Sequence, residues 1–238
     1  MMTRIVWLAT FAFALCASMA DVDAATISGK VVDAAGKAME GVMVSAFDED
    51  RKQSISVFSQ ANGSFTIDGL RDVAFNVRAR LMGQLDEWQE DVAAGATGVS
   101  FAMKPAQGEE LEIQRTADSG FSMLKWDSIK DKENYKMMCT YCHQTGSRGW
   151  RTPEKPVDWQ TMIRRMDGFG GLYKHTQQTL IKRLVETYND DAVAKWPAFV
   201  PPPAPTGAAT QAKITEWDMG EQYTVMLHDL ELGPDGRV

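Results

Sequence analysis

The chain has 238 residues, of which 44% are hydrophobic and 24% charged, as in an ordinary globular protein of one or two domains. Its 32 acidic residues outnumber its 25 lysines and arginines, which gives a formal net charge of −7 at pH 7. A chain this acidic lacks the basic surface of a nucleic-acid-binding protein. Electrostatic steering suits it to a basic or mixed-charge protein partner.

The first 24 residues have the layout of a secretory signal peptide. Arg4 precedes an apolar run over residues 5–15, and the small residues Ala20 and Ala24 offer two cleavage sites. An uncleaved anchor is the alternative, although the run is short for a helix that spans a bilayer. We expect a bacterial periplasmic protein without a stable membrane span, which loses Cys16 with the signal.

Residues 25–104 have the period-two hydrophobic pattern of β-strands. Ile55 and Val57 alternate with polar residues, as do Phe65 and Ile67, and the turn dipeptide Asn62-Gly63 lies between the two runs. Several short strands separated by frequent turns predict a small β-sandwich.

This β-region resembles a known family. The motifs Gly29-Lys30-Val31-Val32-Asp33, Gly41-Val42-Met43-Val44 and Asn62-Gly63-Ser64-Phe65-Thr66-Ile67-Asp68-Gly69-Leu70 are similar to those of the carboxypeptidase regulatory-like domain, a transthyretin-like sandwich. The resemblance implies an accessory module for folding or docking, and it brings no catalytic residue.

The pattern changes after the sandwich. Residues 105–121 are polar and acidic, which predicts a linker. Residues 122–192 then follow helical periodicity, with one helix before Cys142, a second through Trp159 and Met166, and a third over residues 176–188. We therefore expect an α+β multidomain chain, with a small all-α cytochrome c domain after the sandwich.

The cysteines carry the functional signal. Without Cys16, the mature chain has only Cys139 and Cys142, and His143 follows directly. This spacing is that of covalent c-type haem attachment, in which two thiols bind the vinyl groups and the histidine binds iron. A structural disulfide is the alternative in an exported protein, but it gives no role to His143.

The second axial ligand of the iron has three candidates. Met162 and Met166 share a helical face at i, i+4, and His175 would give a bis-histidine iron. The segment over residues 158–170 resembles the short cytochrome domains that accompany some periplasmic dehydrogenases, and this resemblance implies Met166 as the ligand and Met162 as packing. Trp159 and Trp150 are expected to form walls of the haem pocket.

Four arginines flank this region, and one or more of them are candidates to bind the haem propionates by charge-assisted hydrogen bonds. For each single arginine, solvated surface is the favoured interpretation. The four residues are Arg148, Arg151, Arg164 and Arg165.

The C-terminal segments add a second functional hypothesis. Residues 193–213 are proline-rich, which predicts a stiff linker. Ile214-Thr215-Glu216-Trp217 and His228-Asp229-Leu230-Glu231-Leu232-Gly233 resemble the opening repeat of a virginiamycin B lyase-type β-propeller, so residues 214–238 are a candidate first, truncated repeat.

The sequence therefore predicts a periplasmic c-type cytochrome with one haem c, which transfers single electrons to and from an unidentified redox protein. The alternative is the front end of a longer propeller enzyme, lyase-like or dehydrogenase-like, with the haem as electron acceptor. The chain itself is expected to be an electron-transfer protein more than a catalyst.

Overall fold

The computed structural model describes residues 25–49, 52–140, 144–153, 155, 157–169 and 174–218. The predicted signal peptide, Cys142, His143 and the tail after Asp218 lie outside the described residues.

The N-terminal half forms a two-sheet β-sandwich, as predicted. The strands are β1 (Ala25–Asp33), β2 (Met43–Phe47), β3 (Gln53–Phe58), β4 (Ser64–Leu70), β5 (Ala74–Arg80), β6 (Glu87–Ala93), β7 (Val99–Met103) and β8 (Ile214–Trp217). One sheet has the strand order β4-β1-β7, and the other has the order β6-β5-β2-β3-β8. Strands β1 and β7 run parallel, whereas the neighbours in the larger sheet are antiparallel.

The alternation of the sequence determines which face of each strand is buried. In β7, Val99, Phe101 and Met103 are buried and the residues between them are exposed. Phe65 and Ile67 of β4 face the same core. Burying each such side chain contributes about 1.5–3 kcal/mol, so the sandwich has a substantial core of its own.

The Asn62-Gly63 turn is present, but it does not join β3 and β4 in a hairpin, although this dipeptide is typical of hairpin turns. Gly63 has a φ of +78°, yet β3 and β4 belong to opposite sheets. The reason is that Val31 of β1 donates its N–H to Gly63 O at 2.8 Å, which draws the chain across to the smaller sheet. A Cβ at Gly63 would lie 2.5 Å from Val31 O, so only glycine allows this approach.

The second region is helical. Among the described residues its helices are α1 (Gly108–Glu112), α2 (Ala117–Ser122), α3 (Ile129–Cys139), α4 (Arg148–Arg151), α5 (Trp159–Gly168), α6 (Lys174–Thr187) and α7 (Asp190–Val193). The three predicted helices are present as α3, α5 and α6, and the others are shorter.

An aromatic cluster forms the core of the helical region. Tyr135 stacks on Phe121 at 5.3 Å between ring centres, and Trp126 lies 4.9 Å from Tyr135. Trp159 lies 5.4 Å from Trp150. We call this set, together with Ile163, Leu180, Leu184 and Tyr188, the aromatic cluster.

Residues 105–121 differ from the predicted linker, since they form α1 and α2 and pack on both regions. Arg115 is buried and pairs with Glu112, and it donates to Pro197 O at 2.7 Å. Gln114 accepts a hydrogen bond from Gly83 N at 2.7 Å and donates one to Gln84 O at 2.8 Å. The acidic composition of this segment predicted a linker, but the guanidinium group of Arg115 and the side-chain amide of Gln114 form contacts that a free linker would lack.

The proline-rich segment returns the chain to the sandwich. Pro205 packs so closely on Gly41 that a Cβ at Gly41 would lie 2.1 Å from Pro205 O. A short 3₁₀ helix follows over Gly207–Gln211, and Gln60 donates to Thr210 O at 3.1 Å. The proline-rich segment therefore contacts the sandwich at Pro205 and at Thr210.

Strand β8 is the opening strand of the predicted propeller repeat, and here it extends the sandwich. It pairs antiparallel with β3, with Gln53 opposite Trp217 and Ser56 opposite Ile214. Lys213 also forms an ion pair with Asp68. The helical region is thus bracketed by two segments that belong to the sandwich, β7 before it and β8 after it.

Within the ranges given above, no helix combines the length and the apolar character that a transmembrane segment requires.

Candidate functional site

The first cysteine of the predicted haem motif ends a helix and faces the core. Cys139 is the last residue of α3 and packs against the aromatic cluster. Burial raises the pKa of its thiol to about 12, so the group is protonated at neutral pH.

Helix α3 buries little apolar surface. Tyr135 is its only buried residue, whereas Ile129 and Met137 are exposed. Ser128 caps its N-terminus by accepting a hydrogen bond from Asp131 N at 3.1 Å. Since amphipathic packing stabilises most helices in proteins, α3 is short of packing partners.

A cavity of about 350 Å³ lies beside the cluster, and we call it the methionine cavity. Its volume falls in the range of small-molecule and cofactor sites. Most of the side chains around it are apolar. They are Gln144, Gly149, Trp150, Val157, Trp159, Met162 and Met166.

Both methionines that were expected as candidate iron ligands line the methionine cavity. Met162 and Met166 lie one turn apart on α5 and are both half-buried. The structure therefore brings the two candidates together and does not choose between them. The backbone of His175 lies in the first turn of α6, and its side chain is outside the described residues.

The two predicted wall residues are at this cavity. Trp159 is buried at the start of α5, where Asp158 caps the helix by accepting from Gln160 N at 3.1 Å. Trp150 stands opposite on α4. Two indole rings therefore give this cavity apolar surface.

The described residues on either side of positions 141–143 contact the aromatic cluster or the methionine cavity. Cys139 precedes the undescribed residues 141–143 and packs on the aromatic cluster, while Gln144 follows them and lines the methionine cavity. Gln144 also borders a second, more polar cavity of about 570 Å³ that includes Lys136, Thr140 and Thr145.

Two buried hydroxyl groups lie close in sequence to the motif. Among the residues that the structure describes, Tyr135 Oη and Thr145 Oγ1 have no hydrogen-bond partner. Burial raises the pKa of Tyr135. By contrast, Tyr188 Oη donates to Gly120 O at 3.2 Å.

The residues present are of the types that could hold a haem. Met162 and Met166 offer thioether sulfur, which binds haem iron in some cytochromes, and Trp150 and Trp159 offer apolar walls. Cys139 offers a partly buried thiol that could attach the porphyrin covalently. Across the residues the structure describes, no group of three His, Cys, Asp or Glu side chains is gathered for a metal ion.

One of the four candidate propionate ligands has a different role. Arg151 is 2% exposed and donates to Gly146 O and Arg115 O, both at 2.9 Å. Burial lowers its pKa, and its hydrogen bonds go to main-chain carbonyls. Arg151 is therefore a structural residue, whereas Arg148, Arg164 and Arg165 are exposed.

The loop after the motif is held by a close glycine crossing. A Cβ at Gly120 of α2 would lie 2.1 Å from Gly146 O. The same Gly146 O accepts from Arg151. Sequence analysis missed both contributions, because an isolated glycine or arginine gives no signal of its partner.

Comparison with known proteins supports the sandwich alone. The family model of the carboxypeptidase regulatory-like domain matches residues 26–104, which confirms that resemblance. No curated protein matches the chain.

Solved structures with a similar part include the type II cohesin–X-dockerin complex from Acetivibrio cellulolyticus, at 18% identity and a TM-score of 0.30, covering 36% of this chain and 63% of that one. The Bacillus anthracis TIE protein matches at 12% identity and a TM-score of 0.29, covering 35% and 17%. The pilus 2b backbone protein of group B streptococcus matches at 12% identity and 0.28, covering 34% and 41%. The chain thus spans less than two thirds of the first of these proteins.

Proposed function

We propose that the protein is an exported c-type cytochrome that transfers single electrons through one covalently bound haem. Cys139 and Cys142 form the thioether bonds, His143 is the proximal iron ligand and Met166 the distal one. Trp159 and Trp150 enclose the macrocycle. The electron donor and acceptor are one-electron redox proteins.

The observation that carries this proposal is the methionine cavity. It lies against the aromatic cluster that holds Cys139, and it is bordered by the residue that follows the motif, Gln144. Two methionines from one helix line it. An apolar cavity with thioether sulfur beside a Cys-x-x-Cys-His motif is the environment that a c-type haem requires.

The high pKa of the Cys139 thiol is compatible with attachment. Each thiol adds across one vinyl group: a C–S bond and a C–H bond form, while the S–H bond and the vinyl π bond are consumed. No atom is lost and no oxidant is required. The protein therefore gains the full mass of the haem.

The residues around the cavity then set the reduction potential. A thioether ligand stabilises ferrous iron and raises the potential relative to bis-histidine ligation. Indole walls exclude water and lower the local dielectric constant, which disfavours the additional charge of ferric iron.

The test is to express the full chain in the periplasm together with haem-maturation proteins. Mass spectrometry and peroxidase-stained denaturing gels should show one covalent haem. Replacement of both Cys139 and Cys142 by alanine should remove it. A wild-type chain of unmodified mass, under conditions where another c-type cytochrome matures, would refute the proposal.

The distal ligand is tested by a matched pair on one helix. Met166→Ala should abolish the weak far-red charge-transfer band of methionine ligation and lower the potential, whereas Met162→Ala should keep the band. Loss of the band only in Met162→Ala would reverse the assignment. Retention of the band in both would exclude both methionines, and a spectrum altered only by a His175 substitution would identify bis-histidine ligation.

A further inference from the structure

The solvent-facing side of α3 combines exposed apolar and basic side chains. Ile129 is 76% exposed and Met137 is 67% exposed. With 3.6 residues per turn, six exposed residues fall within one half of the helix circumference. They are Ile129, Lys130, Lys132, Glu133, Lys136 and Met137, and we call them the basic face. Three lysines and one glutamate give this face a net charge of +2.

The lysines of the basic face are not neutralised within the part of the chain that the structure describes. None of them forms an ion pair there, whereas on α6 both Lys182 and Arg183 pair with Glu186. Lys132 and Lys136 are also four residues apart, an arrangement of like charges that destabilises a helix by about 0.2–0.5 kcal/mol. The face therefore carries positive charge that a partner of opposite sign would neutralise.

A cavity of about 610 Å³ lies between the loop after β5 and helix α1, and we call it the α1 cavity. Its volume is in the range of sites that bind other molecules. Half of its lining residues are apolar, and they are Leu81, Met82, Leu85 and Ile113. The other half are polar, and they are Arg80, Asp86, Glu110 and Gln114. Ile113 is 46% exposed, so the apolar wall reaches the surface.

The rim of the α1 cavity is acidic. Glu110 lines the cavity, and the side chain of the neighbouring Glu109 is 87% exposed. Glu109 lies 3.9 Å from Arg148, an exposed pair of little strength. Asp86 differs, because Arg80 donates a hydrogen bond to it at 2.9 Å. Two exposed carboxylates of α1 can therefore face a basic partner.

We propose that α3 of one copy of the chain docks on the α1 cavity of a second copy. Ile129 and Met137 pack on the apolar wall, and the lysines of the basic face approach Glu109 and Glu110. The two surfaces match because each joins exposed apolar residues to charge of the opposite sign. This contact does not depend on the proposed haem.

The charge pattern favours a second copy in one orientation. The chain has a formal net charge of −7, so two copies repel each other in most orientations. At physiological salt the screening length is about 8 Å, so the charges that face each other closely decide the contact. Since every copy carries both surfaces, two copies that dock reciprocally form a closed dimer.

Exchange of charge between the two surfaces tests the contact in the full chain as purified. Analytical ultracentrifugation at pH 7 and physiological salt should show that the wild type associates. Lys130→Glu with Lys132→Glu makes the basic face acidic, and Glu109→Lys with Glu110→Lys makes the rim basic. Each double variant alone should associate at least about tenfold more weakly, because its two surfaces then have the same sign. An equimolar mixture of the two should regain the wild-type association.

The matched control is Lys182→Glu with Lys195→Glu, which makes the same change in net charge at two exposed lysines outside both surfaces. This variant should associate as the wild type does. All four substituted lysines are exposed, so the comparison of the two lysine variants does not depend on the fold of the α1 variant.

Three results would overturn the inference. The first is a wild type that stays monomeric, and its binding to vesicles of anionic lipid through Lys130 and Lys132 would assign the basic face to a membrane surface instead. The second is equal weakening in the control, which would show an effect of net charge alone. The third is a mixture that fails to associate although circular dichroism shows that both variants are folded.

Discussion

The sandwich and the helical region solve the problem of a core in different ways. Among the described residues, the sandwich buries fifteen hydrophobic side chains in one cluster, contributed by both sheets. The helical region buries eight, and a cavity lies against them. A small core seldom stabilises a domain unaided, and such domains are usually completed by a metal, a cofactor or disulfides. If the proposed haem is bound, we expect the helical region to gain part of its core from it, whereas the sandwich should fold on its own core.

Removal of the haem should have the largest effect and should be confined to one region. In the Cys139→Ala, Cys142→Ala double variant we expect amide-exchange protection to persist over residues 25–103. Protection over residues 126–188 should be largely lost, because α3 buries only Tyr135. Full protection of both regions would show that the helices form a core without the cofactor.

The second prediction concerns the anchoring of the segment that follows the sandwich. Arg115→Met removes the ion pair with Glu112 and the hydrogen bond to Pro197 O while keeping an apolar side chain between Trp196 and Phe199. Hydrogen bonds to charged groups contribute about 1.5–3 kcal/mol, so we expect a loss of that size. Urea unfolding followed by tryptophan fluorescence would measure it.

Arg148→Met is the matched control for Arg115→Met. Arg148 is exposed, and its nearest carboxylate oxygen, on Glu109, is 3.9 Å away. Its replacement should change the free energy of unfolding by less than about 0.5 kcal/mol. Equal losses in the two variants would show that Arg115 does not anchor the segment.

Much of the sandwich could be predicted from the sequence because strand alternation is a local signal. Phe65, Ile67, Phe101 and Met103 are buried as that alternation requires. The sheet to which each strand belongs was not local information. The separation of β3 and β4 depends on the contact between Gly63 and Val31, which are distant in sequence.

The helical region was predictable in its helices and in the methionines of its cavity. The packing of Tyr135 in the same cluster as Cys139 could have been predicted from the sequence, since a four-residue interval places both residues on one face of a helix. The structural roles of Arg115 and Arg151 could not be predicted, because Arg115 donates to the distant Pro197 O and Arg151 donates to the distant Arg115 O. The pairing of β8 with β3 likewise joins positions more than 150 residues apart.

The third prediction tests the return of the chain to the sandwich. Gly41→Ala should destabilise the protein by about 1–2 kcal/mol, because its φ is +79° and the added Cβ would meet Pro205 O at 2.1 Å. Gly36→Ala is the control, since its φ is +83° and nothing lies within 4 Å of its Cβ position. Chemical denaturation should show a larger loss for Gly41→Ala. Equal losses would mean that backbone strain alone is responsible and that the Pro205 contact contributes nothing.

The smallest expected effect is the pH dependence of the anchor before β8. Lys213 forms a hydrogen bond and an ion pair with Asp68 and thereby lowers the pKa of this carboxyl below its usual value. A depressed carboxyl pKa stabilises the fold above the unfolded pKa, about 3.9, and this contribution is lost as the pH falls through the folded pKa. Because both side chains are largely exposed, we expect this contribution to the free energy of unfolding to be less than about 1 kcal/mol.

Lys213→Met should therefore reduce the free energy of unfolding at pH 7 and differ little from wild type near pH 2. Urea titrations of both proteins across this interval would measure the difference between them, which cancels the acid response of all other carboxyls. A difference that stays constant from pH 7 to pH 2 would show that Lys213 acts through packing, and the ion pair would then have no part in holding β8 on the sandwich.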